Sequence, residues 1–113
     1  MTGCLFCKIR DGEIPAKIIA QNDHVIAFRD VAPQAPTHVL VIPRKHMVSL
    51  ADATREDLAL LGEMQLMAQA VAQQEKLDGG YRTVFNTGAD AGQSVFHLHL
   101  HVLGGRQLAW PPG

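Results

Sequence analysis

The chain has 113 residues, of which 47% are hydrophobic and 19% are charged, and its formal net charge is −1. This length fits one compact domain, which we expect to span residues 1–113. The near-neutral charge argues against nucleic acid or an anionic membrane as a partner, and no apolar run approaches the roughly 20 residues of a membrane helix. The first residues lack the pattern of a secretion signal, so we expect a cytoplasmic protein whose two cysteines stay reduced.

The first half of the chain predicts a short helix followed by three strands. Residues 4–13 (CLFCKIRDGE) can form the helix. Two β-branched runs at 17–21 and 24–30 predict a hairpin. A loop with two prolines then leads to a third strand at 38–44.

The second half predicts one long helix and two more strands. Thr54 with acidic residues behind it predicts an N-cap, and the apolar stripe that follows predicts a helix to about Leu77. Strands are predicted at 81–86 and 96–104, with a Gly-rich loop between them. The order of elements favours an α+β fold with a five-stranded, mostly antiparallel sheet and the helices on one face.

Three histidines alternate with leucines in the last predicted strand, FHLHLHVLG. Because side chains alternate across a strand, one face would be apolar and packed on the core: Phe96, Leu98, Leu100 and Val102. The opposite face would carry a row of imidazoles about 7 Å apart: His97, His99 and His101. Imidazole can act as a nucleophile or bind a metal. A merely solvated face is the plain alternative, although such faces usually mix Thr, Ser, Lys and Glu.

The loop before these histidines is suited to an anion. Gly88 and Gly92 allow backbone N–H groups to approach an oxyanion closely, while Ser94 and Asn86 offer side-chain donors. An ordinary hairpin loop is the alternative. Beside three histidines, the loop indicates an anionic ligand held against an imidazole nucleophile.

Cys4 and Cys7 have the two-residue gap of a zinc half-site. A redox dithiol has the same gap, but no thioredoxin-like βαβ context follows. Two histidines would complete a closed structural site, and His46 is one candidate. His38, at the start of a strand, has a structural role as its plain alternative.

Taken together, these residues resemble the histidine-triad (HIT) superfamily. His97 to Leu103 matches its His-φ-His-φ-His-φ-φ signature. The segments GEIPAKII, APQAPTHVLVIPRKH, GYRTVFNTGADAGQSVFHLHLHVLGGR and WPPG are similar to the Hint branch, the histidine-triad nucleotide-binding proteins. The resemblance extends from Cys4 to Gly113. It implies a HIT-like fold with a short N-terminal helix, one long helix and a two-fold homodimer.

The resemblance also implies an activity, that of a purine nucleoside phosphoramidase. Such an enzyme hydrolyses the P–N bond of adenosine 5′-monophosphoramidate, and aminoacyl adenylates as further substrates, through a nucleotidyl-histidine intermediate. A dinucleoside polyphosphate hydrolase and a non-catalytic nucleotide-binding module are the alternatives. Ser94 and the ending WPPG favour the Hint branch.

The roles that the resemblance implies fall on the histidines and the loop before them. His99 matches the nucleophile and His101 a phosphate contact. His97 and His38 match a hydrogen-bonded network that fixes the nucleophile's tautomer. The groups expected near the phosphate or the leaving amine are Asn86, Gly92, Ser94 and the amide of Val95.

The resemblance further implies a nucleoside pocket. Asp30 matches the carboxylate that accepts the ribose hydroxyls. The residues that match the apolar slot for the purine are Leu5, Phe6, Ile9, Phe28, Val31 and Leu40. Arg29 departs from the human-type pattern, which has histidine there, and this departure leaves the purine preference open.

The resemblance implies a structural zinc ion as well, and no cofactor for the catalysis. Its ligands would be Cys4, Cys7, His46 and His97. A metal ligand and a hydrogen-bond relay are therefore competing assignments for His97. In the implied dimer, the C-terminal tail with Trp110 reaches toward the active site of the partner.

Overall fold

The structure, a computed structural model, describes residues 3–113, so Met1 and Thr2 of the predicted domain lie outside the described residues. Its two helices are α1 (Leu5–Arg10) and α2 (Leu58–Gln74). Its strands are β1 (Ile18–Gln21), β2 (Val25–Arg29), β3 (Thr37–Pro43), β4 (Tyr81–Val84) and β5 (Leu100–Gly104). The strands form one sheet in the order β1-β2-β3-β5-β4, and every neighbouring pair is antiparallel. The predicted α+β fold with a five-stranded antiparallel sheet is confirmed.

The central strand β3 is buried along its whole length. Its sequence THVLVIP is a nearly continuous apolar run, which is typical of a strand covered on both faces. Val39 and Val41 belong to the core cluster that includes α2. Leu40 and Ile42 belong to a second cluster, which includes α1. The sheet therefore carries a hydrophobic core on each side.

The two helices pack on opposite faces of the sheet, so the prediction of helices on one face was wrong. On one face, α2 buries Met64, Met67, Ala68 and Val71. On the other face, α1 buries Phe6, Cys7 and Ile9. The physical reason lies in β2 and β3, whose apolar residues point both ways and must be covered on both sides. Because α1 has only six residues, it covers part of its face and leaves room for a cavity.

The last strand begins at Leu100, four residues later than predicted. Leu98, Leu100 and Val102 are buried as expected, but Phe96 is 56% exposed, so its assignment to the core was wrong. The reason is a contact outside the sheet, since the N–H of Leu98 donates to the carbonyl of Met47 at 2.6 Å. Residues 96–99 are thereby attached to the loop after β3, and the three histidines do not form one flat row.

The predicted capping residue, Thr54, caps the 3₁₀ turn Arg55–Asp57 that leads directly into α2. Thr54 Oγ1 accepts from the N–H of Glu56 at 3.2 Å, and Asp57 Oδ2 accepts from the N–H of Thr54 at 2.9 Å. The helix ends at Gln74, three residues before the predicted end, since Lys76 has a positive φ of 58°. Within residues 3–113, no helix has the length and apolar character needed to cross a membrane.

Asp57 links this cap to the loop after β3, which leads to a prediction about stability and pH. Its Oδ1 also accepts from Lys45 Nζ at 2.9 Å. The Thr54 N–H and the Lys45 ammonium hold the pKa of Asp57 below its usual range. The ionised carboxylate therefore stabilises the fold above the unfolded pKa of about 3.9, and that contribution is lost as pH falls through the lower folded pKa.

We expect Asp57→Asn to lower the melting temperature by a few degrees at pH 7, and the difference from wild type to shrink as pH falls below about 4. Thermal melts across this pH range check the prediction. Asp52→Asn, at an exposed position in the preceding turn, is the matched control. A melting difference for Asp57→Asn that stays constant down to the acid limit would contradict the assigned role.

Candidate active site

A cavity of about 310 Å³ opens between α1 and the sheet. Its walls come from α1, from the segment after it, from the end of β2 and from the loop before the histidines. His99 and His101 also line it. The cavity thus joins a largely apolar chamber to two imidazoles, one carboxylate and one hydroxyl.

All six residues predicted for the apolar slot line this cavity: Leu5, Phe6, Ile9, Phe28, Val31 and Leu40. Phe6 is the central contact, because its ring lies edge-on to Phe28 at 5.4 Å and to His99 at 5.1 Å between centroids. Three further wall residues were not anticipated: Ile14, Pro15 and Ala16. They follow α1 in an irregular segment, where no periodic pattern could indicate their direction.

The imidazole of His99 is fixed by the backbone. Its Nδ1–H donates to the carbonyl of His97 at 2.7 Å. Since a carbonyl can only accept, neutral His99 carries its proton on Nδ1 and keeps an unprotonated Nε2. The ring is buried yet lines the cavity. The lone pair on Nε2 is therefore free to react with a bound ligand.

The tautomers of His38 and His101 follow from one backbone donor. The N–H of Gln34 donates to His38 Nδ1 at 3.0 Å, so neutral His38 must carry its proton on Nε2. His38 Nε2 lies 2.8 Å from His101 Nδ1 and donates to it. His101 consequently carries its own proton on Nε2. It can serve as a hydrogen-bond donor at the cavity wall.

Burial keeps these imidazoles uncharged at neutral pH. Burial, with a smaller contribution from the neighbouring rings of His99 and His38, lowers the pKa of His101 to about 4. Burial also lowers the pKa of His99 and of His38, with Asp30 acting in the opposite direction on both. A neutral His99 is required if its Nε2 lone pair is to act as a nucleophile.

Beneath the cavity, two cysteines and two histidines converge as the zinc hypothesis predicted. Cys4 Sγ lies 3.3 Å from His97 Nδ1, and Cys7 Sγ lies 3.4 Å from His46 Nδ1 and 3.6 Å from His97 Nδ1. The two Nδ1 atoms of His46 and His97 are 3.2 Å apart. All four candidate ligand atoms lie within 4.8 Å of one another.

These four side chains fit a tetrahedral zinc ion. With zinc–ligand bonds of 2.0–2.3 Å, neighbouring ligand atoms of such an ion lie roughly 3.3–3.8 Å apart. The fully buried His97 donates from Nε2 to the carbonyl of Pro43 at 2.9 Å, which leaves Nδ1 unprotonated and aimed at the cluster. Burial lowers the pKa of His97 to about 4, and burial beside Cys4 raises the pKa of Cys7. A bound cation would lower the pKa of Cys7 again, because it stabilises the thiolate.

The ring and the backbone of His97 have different partners. Its ring faces the cysteines and His46, while its backbone carbonyl accepts from His99. The ring geometry favours a ligand role. The tautomer of the proposed nucleophile depends on the main chain of His97 rather than on its side chain.

The loop before the histidines is held by Gln93, a residue to which the sequence assigned no separate role. The buried Gln93 amide donates to the carbonyls of Val48 and Val95 at 2.8 and 3.1 Å, and its oxygen accepts from Gly88 N–H at 2.9 Å. These bonds place Ser94 and Val95 on the cavity wall. A buried glutamine is a weak signal in a single sequence, because its partners are backbone groups from two separate loops.

The remaining predicted residues occupy different places. Asp30 lines the cavity, whereas Asn86 and Gly92 lie outside its wall. Gly92 has a positive φ of 91° and ends a short 3₁₀ turn, which explains a glycine there. The guanidinium of Arg29 forms an ion pair with Glu75 at the end of α2, at 2.7 Å.

Comparison with known proteins identifies the family. The model of the HIT domain matches residues 11–108, so the chain belongs to the HIT domain family. Cys4 and Cys7 lie before the matched segment. An uncharacterized HIT-like protein of Synechococcus elongatus is 58% identical to this chain over 109 residues, which are 96% of each protein.

Solved structures share the whole fold. A HIT family hydrolase from Legionella pneumophila is 51% identical, with a TM-score of 0.96 over 98% of this chain and 100% of that one. A histidine triad nucleotide-binding protein from Candida albicans is 30% identical, with a TM-score of 0.82 over 96% and 83%. A zinc-bound histidine triad family protein from Mycobacterium smegmatis is 34% identical, with a TM-score of 0.80 over 93% and 76%.

Proposed function

We propose that this chain is a nucleotide hydrolase of the Hint branch, with the activity of a purine nucleoside phosphoramidase. The observation that carries the proposal is the His97 carbonyl, which holds the His99 proton on Nδ1 and leaves Nε2 as a buried, uncharged nucleophile at the cavity wall. Similarity to a HIT family hydrolase supports the hydrolase activity, and similarity to a histidine triad nucleotide-binding protein supports a nucleotide as substrate.

In the first step, His99 Nε2 attacks the α-phosphorus of a nucleoside 5′-phosphoramidate. The N–P bond to His99 forms while the P–N bond to the leaving amine breaks. The amine departs after taking up a proton from solvent, to which the attacking water returns a proton in the second step. The Nε2–H of His101 donates to a phosphate oxygen, where charge develops. Ser94 lies on the same wall, where its hydroxyl can contact the phosphate or the leaving amine.

In the second step, water attacks the phosphorus and displaces His99. The products are AMP and the regenerated imidazole. Because the Nδ1–H bond to the His97 carbonyl persists throughout, the same nitrogen is presented in each cycle. The covalent intermediate divides a difficult displacement into two easier ones.

The rest of the cavity suits a nucleoside. Apolar side chains with Phe6 and Phe28 at the centre offer faces and edges for a purine, and Asp30 offers a carboxylate for the ribose cis-diol. Asn86 and Gly92 lie outside this wall, so their proposed phosphate contacts require a substrate that extends past the cavity.

The nucleophile assignment predicts a separation of binding from turnover. We expect His99→Ala to bind AMP within about tenfold of wild type while turnover of a fluorogenic adenosine phosphoramidate falls at least roughly 10⁴-fold. His101→Ala should lose about 10²–10³-fold in kcat, the usual effect of removing one donor to a developing oxyanion. Calorimetry and steady-state kinetics supply the measurements, and His24→Ala, at an exposed histidine, is the control.

The same variants separate the alternatives. A nucleotide-binding module would bind AMP and show no turnover even as wild type. A dinucleoside polyphosphate hydrolase would cleave diadenosine polyphosphates faster than the phosphoramidate. Turnover that survives in His99→Ala would remove the covalent mechanism altogether.

We further propose that Cys4, Cys7, His46 and His97 hold a structural zinc ion. The four-ligand geometry and the similarity to a zinc-bound histidine triad family protein support this assignment. When bound, the ion fixes the N-terminal segment to the loop after β3 and to His97, and a closed site of four protein ligands leaves no position for catalysis.

Zinc binding predicts a metal stoichiometry and a stability change. We expect about one zinc ion per chain, lost in Cys7→Ser and His46→Gln but retained in His24→Gln. Binding at about 100 times Kd stabilises by about 2.7 kcal/mol, which for a chain of this size is on the order of 10 °C in melting temperature. Elemental analysis and melts with and without a chelator check this. Full stability in a metal-free wild type would contradict the site.

We also propose a two-fold homodimer. The 17-residue helix α2 carries only one charged side chain, Glu63, and two of its leucines, Leu58 and Leu66, are each 60% exposed. A surface helix with so few charges is typical of a covered face. The tail residue Trp110 is 81% exposed, as a contact to a partner would require.

The dimer predicts twice the chain mass by light scattering. Leu66→Glu should shift the protein toward monomer, because it places a charge in the proposed interface. Glu13→Gln, a charge change at an exposed position after α1 on the opposite face of the sheet, should not. A wild-type monomer at all accessible concentrations would contradict the dimer and the placement of Trp110 at a neighbouring site.

A further inference from the structure

A carboxylate lies beside the His38–His101 pair. Asp30 Oδ2 is 3.4 Å from His38 Nε2, the same nitrogen that lies 2.8 Å from His101 Nδ1. Two hydrogen bonds fix Asp30. Its Oδ1 accepts from the N–H of Ala32 at 2.8 Å, and its backbone N–H donates to the carbonyl of His38 at 3.0 Å. Its carboxylate is therefore oriented toward the histidine pair.

The proton on His38 Nε2 is donated to His101 Nδ1, and the carboxylate of Asp30 lies beside the donating nitrogen. The lone pair on His38 Nδ1 is occupied by the Gln34 N–H, so the proton cannot move to that side without loss of a backbone hydrogen bond. On the other side, His101 Nδ1 accepts the proton, and Asp30 Oδ2 lies 3.4 Å from the same nitrogen as a neighbouring negative charge. A carboxylate at this distance favours a protonated Nε2 and stabilises positive charge that develops on the pair.

The three side chains fit a hydrogen-bonded histidine pair with an adjacent carboxylate better than a metal site. Asp30, His38 and His101 do bring ligand atoms within 4.8 Å of one another. However, the 2.8 Å between His38 Nε2 and His101 Nδ1 is a hydrogen-bond distance. Two nitrogen ligands of one tetrahedral ion lie roughly 3.3 Å apart.

We propose that Asp30 is a positioning residue for His101, acting through His38, in addition to accepting the ribose hydroxyls. The carboxylate holds the pair in the arrangement that presents His101 Nε2–H to the phosphate. The Asp30 side chain then both recognises the sugar and orients His101, the donor to the phosphate. The inference rests on the proposed function, because it concerns the same reaction.

A substrate without ribose hydroxyls separates the two roles of Asp30. With a 2′,3′-dideoxyadenosine phosphoramidate, the sugar contact is absent in every variant. We expect Asp30→Asn to lower kcat for this substrate roughly tenfold, the lower end of what a group that orients a functional histidine contributes, with little change in KM. In a His38→Gln background the same substitution should have almost no further effect, because the link from Asp30 through His38 to His101 is already lost.

A spectroscopic measurement tests the arrangement without turnover. Long-range ¹H–¹⁵N spectra of the imidazoles should show wild-type His38 and His101 protonated at Nε2. In Asp30→Asn, the signals of both rings should shift and His101 should populate a second protonation state. Asp23→Asn, an exposed aspartate in the turn between β1 and β2, is the matched control and should leave spectra and kinetics unchanged.

The outcomes are distinguishable from failure of the proposed function. If wild type turns over no phosphoramidate, the proposed function fails, and the imidazole spectra alone decide the role of Asp30. If wild type is active and Asp30→Asn processes the dideoxy substrate at the wild-type rate, with unchanged spectra, Asp30 contacts only ribose and the inference is overturned.

Discussion

The hydrogen bond from Leu98 N–H to the Met47 carbonyl draws residues 96–99 out of the sheet, and the arrangement of the histidines depends on that departure. If β5 continued to Phe96, His97, His99 and His101 would lie in one row about 7 Å apart. Instead the ring centroids of His99 and His101 lie 5.0 Å apart, and the ring of His97 is fully buried against the cysteines. The departure thus separates a candidate metal site from a candidate nucleophile that is two residues away.

Backbone groups determine which ring nitrogen of each histidine in the site carries the proton. The carbonyls of Pro43 and His97 fix the tautomers of His97 and His99, and the N–H of Gln34 fixes that of His38 and, through it, that of His101. Burial keeps those imidazoles neutral, because charging a buried ring forfeits its hydration. Side-chain identity therefore provides the reactive groups, while backbone geometry decides which nitrogen of each ring is available.

The sequence predicted the strands, the long helix and the residues of the cavity wall better than it predicted how these elements pack against one another. Alternation identified Leu98, Leu100 and Val102 as core, because that argument needs only local geometry. It failed at Phe96, since the end of β5 is set by a contact with Met47, some 50 residues away in the sequence. The placement of α1 and α2 on one face failed for a similar reason, because it requires knowing that β3 is central.

Proximity of distant residues came from the resemblance rather than from spacing. Cys4 and Cys7 alone are a weak signal, and nothing local links them to His97, whose Nδ1 lies 3.3 Å from Cys4 Sγ. The role of Gln93 and the contact between Asp30 and His38 could not be predicted, since both depend on the exact course of loops. Such contacts become visible only once the backbone is known.

The central claim is that hydrolysis proceeds through a covalent bond between phosphorus and His99. The most direct measurement is the stereochemical course at phosphorus, with an adenosine phosphoramidate made chiral by one sulfur and hydrolysed in isotopically labelled water. Two successive in-line displacements, first by His99 and then by water, predict net retention of configuration. Net inversion would mean that water attacks the substrate directly, and it would contradict the account.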